Sequence, residues 1–117
     1  MCADFGGHDN HHHGNVYAYV GQALGICDQL KGHEDRFYDN KVVLTGPKVG
    51  WFRCTDVDDY AATVLHDNAY FTADGNVSEC SMPLRKWQAT GGDARSTVGA
   101  YPKDDVIIGW ARGLLGF

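Results

Sequence analysis

The chain has 117 residues, enough for one domain with its own core, and a net charge of −5. Its ten Lys and Arg are scattered, which argues against nucleic acid and anionic membrane surfaces as partners, since both need clustered cations. No stretch of about twenty apolar residues exists to insert into a membrane.

Fifteen glycines, and thirteen aspartates against two glutamates, suit strands and turns better than helices. Residues 1–14 are polar and rich in Gly and His, and are expected to be an arm or loop ahead of a single β-rich domain over 15–117. Val16 to Val20 alternates apolar and aromatic residues, a strand pattern. Val42 to Thr45 is a short strand ended by the Gly46-Pro47 turn, and Val49 to Thr55 is the next. Tyr60 to His66 is a further strand. Ala69 to Ala73, then Asp74-Gly75, then Asn76 to Cys80 predicts a β-hairpin, because Asp-Gly suits a type I′ turn. Leu84 to Thr90 and Ser96 to Tyr101 add two strands around Gly91-Gly92-Asp93.

The last segment has two readings. Ile107, Trp110, Ala111, Leu114 and Leu115 follow one helical face, with Asp104 as a cap. Gly109 and Gly113 oppose a helix and leave two short strands as the rival. In either form the segment is apolar enough that it must be buried or be an interface. Seven or so short strands between turns lead to the expected fold class: mainly β, a small antiparallel sandwich or barrel of Ig-like or transthyretin-like shape, with at most one short C-terminal helix. That is an inference of shape. The run Gly50 to Asp56 followed by Tyr60 to Val64 is loosely similar to transthyretin-like modules but lacks their Asp-x-Asp-Gly turn, so it places the chain in no family.

Cys2, Cys27, Cys54 and Cys80 are even in number and nearly equally spaced, with no Cys-x-x-Cys pair. In a small Gly-rich domain this suggests two disulfides and an oxidising compartment, with three connectivities open. A secreted location follows as an expectation, with Met1 standing where a removed signal peptide would have ended. Shifted by 25, residues 2–25 and 27–50 match at Cys2/Cys27, Gly7/Gly32, His8/His33, Asn15/Asn40, Gly21/Gly46 and Gly25/Gly50. A looser third echo begins at His66. Such matches imply duplicated strand–loop units in which His8, His33 and His66 are equivalent.

The densest cluster of metal-ligand types is His8, His11, His12 and His13 with Asp9. Neutral imidazole suits Zn, Cu or Ni, and a specific site needs three or four converging ligands. Adjacent histidines on a strand alternate faces, so the cluster needs help from His33, His66 or Asp67. An exposed polar arm is the bland alternative. Asp56, Asp58 and Asp59 lack the Gly and distal Glu of a calcium loop. No nucleophile elbow, phosphate loop or His-Glu-x-x-His motif occurs. Asn76-Val77-Ser78 is a candidate glycosylation sequon. Three Trp, six Tyr and five Phe fill the core or serve a protein or carbohydrate ligand. The expected function is a non-enzymatic extracellular binding or structural module. The alternatives are a filament or coat subunit, a homo-oligomer through the apolar C-terminal segment, or a metal-binding protein.

Overall fold

In the computed structural model, residues 2–3, 8–26 and 29–116 are described, the side chains from residue 8 onward. The chain winds into a β-solenoid of about three turns. The first turn carries β1 (Cys2–Ala3), β2 (His11–His13) and β3 (Val16–Val20), and the second β4 (Leu24–Ile26), β5 (Arg36–Tyr38) and β6 (Lys41–Leu44). The third carries β7 (Gly50–Trp51), β8 (Val64–His66) and β9 (Ala69–Thr72). Then come β10 (Ser78–Glu79), β11 (Met82–Pro83), α1 (Leu84–Ala89), β12 (Thr97–Ala100) and α2 (Asp104–Leu115).

Three parallel sheets run the length of the coil, in the orders β1-β4-β7, β2-β5-β8 and β12-β9-β6-β3. The expected antiparallel sandwich or barrel is therefore incorrect. In these sheets each strand pairs with its equivalent one turn away, and among the described strands only β10 and β11 form an antiparallel pair. The predicted hairpin fails for a visible reason. A type I′ turn needs positive φ at both central residues, and Asp74 does not have it. The turn closes instead from Gly75 N to Thr72 O, with Asp74 Oδ1 accepting from Asn76 N, so β9 is led onward around the coil. Leu84 to Ala89 is a helix where a strand was expected, and β7 and β8 keep only parts of their predicted runs.

Register is held by an asparagine ladder. Asn15 N donates to Asn40 Oδ1, Asn40 N to Asn68 Oδ1, and Asn68 N to Ser96 Oγ, in steps of 25, 28 and 28 residues. Asn40 Nδ2 also donates to His12 O, and Asn68 Nδ2 to Phe37 O. Buried amides satisfied this way fix which residues stack, because each unpaired one would cost about 1–3 kcal/mol. Before each ladder residue stands a left-handed corner: Gly14 (φ 67), Asp39 (53), Asp67 (55) and Arg95 (62). Gly and Asp tolerate that conformation. Arg95 is held there by two hydrogen bonds to Asp67, at 2.8 and 2.6 Å. The repeat seen in the sequence is thus the solenoid turn itself.

Inside the coil, Leu24, Ile26, Phe37, Val42, Leu44, Leu65 and Tyr70 form one buried cluster with Val49, Val77 and Leu84. Period-two alternation sends these residues inward from successive turns. The helix α2 resolves the C-terminal ambiguity. It lies on the outer face of the β12-β9-β6-β3 sheet, with Trp110 5.3 Å from Phe71 and Lys41 5.7 Å above the Trp110 ring. Gly116 ends it in a left-handed cap. Of α2 only Ile107 is buried. Ile108, Leu114 and Leu115 remain 51, 59 and 71 % exposed.

Candidate metal centre

The polar start of the chain is part of the first turn: His11–His13 is β2, paired in parallel with Arg36–Tyr38. Stacking of the first two turns sets Asp9 beside His33, with Asp9 N donating to His33 O at 3.1 Å. Asp9 Oδ2 then lies 2.8 Å from Nδ1 of His8 and 2.8 Å from Nδ1 of His33. The two imidazoles meet edge to face, 5.4 Å apart. Ligand atoms of all three residues fall within 4.8 Å of one another on an exposed surface. The hydrogen bonds from His33 and His8 hold the Asp9 carboxyl below its usual range. Among the described residues this is the one group of three or more His, Cys, Asp or Glu that can converge on an ion.

The other predicted ligands go elsewhere. His11 Nδ1 is 3.0 Å from Tyr38 Oη. His13 stacks on Tyr38 at 5.0 Å, and Tyr38 stacks on His66 at 4.8 Å. His66 is therefore equivalent to His13, two turns away with Tyr38 between them, and the expected equivalence with His8 and His33 does not hold. His66 instead sits 2.6 Å from Asp67, whose carboxyl is pulled down to about 2, chiefly by Arg95 and then by His66. His12 turns inward, its Nε2 3.8 Å from the fully buried Asp35.

Cys54 and Cys80 form a disulfide across 26 residues. Cys27 and the side chain of Cys2 lie outside the described residues, so the second expected bridge does too. Asp56 accepts from Ala62 N within its own turn, and the acidic run gathers no ligand set. Asn76 is exposed at the turn after β9, as a sequon requires. No helix is long and apolar enough to cross a membrane among the described residues.

One constellation escaped the sequence. Glu79 and Asp93 are 2 and 3 % exposed. Asp93 accepts from Tyr70 Oη at 2.7 Å and from Ser96 Oγ. Neither Glu79 oxygen has a hydrogen-bond partner among the described residues, so a charge there would be buried without compensation and the neutral acid is favoured. Burial first, then the neighbouring Asp93 carboxyl, push Glu79 up to about 10. Tyr70 is pushed up by burial and by the same two acids. The residues are 14 apart in sequence and meet only because one turn closes over the other. The asparagine ladder, by contrast, had a signal: Gly14-Asn15, Asp39-Asn40 and Asp67-Asn68 repeat a corner residue followed by Asn.

No family model matches the chain, and neither a curated protein nor a solved structure matches it.

Proposed function

We propose that this chain is a non-enzymatic structural and binding module of an oxidising, extracellular compartment, with a His/Asp transition-metal group as its binding element. The observation that carries the reading is the convergence of His8 and His33 on one carboxylate oxygen, each at 2.8 Å, from two neighbouring turns. Two imidazoles and a carboxylate supply three ligands, and water completes a tetrahedral zinc site. Copper and nickel share the preference for imidazole. The solenoid holds the backbones of both ligand-bearing turns in register, so binding costs little ordering. The ion also ties the first turn to the second. The Cys54–Cys80 disulfide favours the oxidising compartment.

Protein purified without a nickel column, then dialysed against zinc at pH 7.5, is expected to retain one ion per chain. His33→Ala should weaken zinc binding about tenfold or more. Equal retention by the two proteins, or none by either, would remove the reading.

A second reading, self-assembly, is favoured by α2. Its exposed Ile108, Ala111 and Leu115 recur at i, i+3 and i+7, one stripe left uncovered by the solenoid. Two copies packed antiparallel along this stripe place Asp104 and Asp105 of one against Arg112 of the other. Size-exclusion chromatography at two concentrations decides it; a monomer at both ends the assembly reading.

A further inference from the structure

The last turn of the solenoid presents a strand edge with a groove beside it. β12 is the terminal strand of its sheet. Thr97 N donates to Asn68 O, so the backbone groups of Thr97 and Gly99 face β9. By alternation those of Ser96, Val98 and Ala100 point the other way. Ser96 is served at this edge: its carbonyl accepts from Gln88 Nε2 at 2.7 Å, and its N–H donates to Asp93 O at 3.3 Å. The helix α1 therefore caps the start of the edge. Beyond the cap no described residue bonds to the Val98 backbone on the side away from β9, and the turn at Gly75 bounds the edge farther on, since a Cβ built there would lie 3.5 Å from Ala100 N.

Along this edge runs a groove of about 560 Å³ between α1 and the turn at residues 75–77. Its floor is apolar, with Val77, Leu84 and Val98, all of which belong to or pack on the core cluster. Arg85 supplies the only charge among the lining residues. It is exposed and makes no ion pair with another described residue. Such a cation beside a strand edge favours a ligand that brings a carboxylate to it.

We propose that this groove binds an extended acidic peptide segment of another protein by strand addition to β12. The peptide's backbone pairs with the N–H and C=O of Val98, one apolar side chain covers Val98 and Leu84, and a carboxylate meets Arg85. This is the mode in which main-chain bonds provide affinity and alternate side chains provide specificity. It is independent of the metal reading, because the groove lies at the opposite end of the coil from His8 and Asp9.

The test uses the intact chain as bait for a phage library of random octapeptides, with hydrogen exchange at Val98 as the site readout. Enriched peptides are expected to pair β-branched residues with Asp or Glu, and to slow exchange of the Val98 amide. Arg85→Glu, an exposed substitution whose fold is checked by circular dichroism, should weaken them about tenfold or more. Proline placed opposite Val98 in a peptide should abolish its binding. An empty selection overturns the proposal. So does a family that binds Arg85→Glu equally well, or one that leaves Val98 exchange unchanged.

Discussion

Replacing Glu79 by glutamine should make the protein more stable, and increasingly so as the pH rises. Glu79 is buried against Asp93 and holds its proton up to about 10, whereas the unfolded chain releases it near the ordinary 4.5. A folded-state pKa raised in this way contributes stability fully below about 4.5, and that stability is lost as pH rises toward 10. Between these limits the unfolded state alone sheds the proton. The loss is about 1.4 kcal/mol for each pH unit. At pH 7 it amounts to about 3 kcal/mol, and from pH 5 to pH 8 to about 4 kcal/mol. Only 2 % of Glu79 is exposed, so solvent screens little of this. The glutamine amide of the Glu79→Gln variant puts a neutral group of the same shape beside Asp93 and has no proton to lose. Urea titrations of both proteins at pH 5, 6, 7 and 8, followed by tryptophan fluorescence, measure the difference directly. Carboxylates away from the Glu79–Asp93 pair cancel in the comparison. A stability gap that widens with pH at about the stated slope supports the buried acid pair; a gap equal at pH 5 and pH 8 would refute it.

Three further outcomes rest on the same framework. Asn40→Ala breaks the ladder in its middle, strips the acceptor from Asn15 N and the donor from His12 O, and should cost about 2–4 kcal/mol by chemical denaturation; an effect below about 0.5 kcal/mol would mean that register is set elsewhere. Reduction of Cys54–Cys80, whose 26-residue loop limits the unfolded chain, should lower stability by about 3 kcal/mol. Intact mass before and after reduction and alkylation reports how many cysteines were paired. Arg95→Gln removes the chief cause of the lowered Asp67 carboxyl, so its titration by NMR should move from about 2 toward 3.8; because that group's stability contribution is lost as pH falls, the variant should also lose less stability between pH 4 and pH 2.

Much of the local structure was legible in the residues. Val16 to Val20, Val42 to Thr45 and Ala69 to Ala73 read as strands, and β3, β6 and β9 lie there. The Cys54 and Cys80 pair fits the spacing argument. The shift of 25 aligned His8 with His33 and Asn15 with Asn40, which the structure stacks. Two things misled. A period-two strand in a short solenoid looks like a strand of a sandwich, because alternation records which side is buried and says nothing about the neighbour's direction. The Asp74-Gly75 dipeptide marked a turn correctly, but its φ values, and with them the path of the chain, depend on how Asn76 and the next stretch of the coil are held.

By itself the sequence determined that this is a β-rich chain with turns at Gly and Asp, an internal echo, and a dense supply of imidazoles. These are properties of single residues and their near neighbours, which local sterics and burial dictate. Only the tertiary structure decided that the echo is a parallel coil, that His8 and His33 share Asp9 while His13 and His66 share Tyr38, and that Glu79 lies against Asp93. The physical reason is register. One turn consumes 25 or 28 residues, and a shift of one residue at any corner would have sent every one of these side chains to the opposite face.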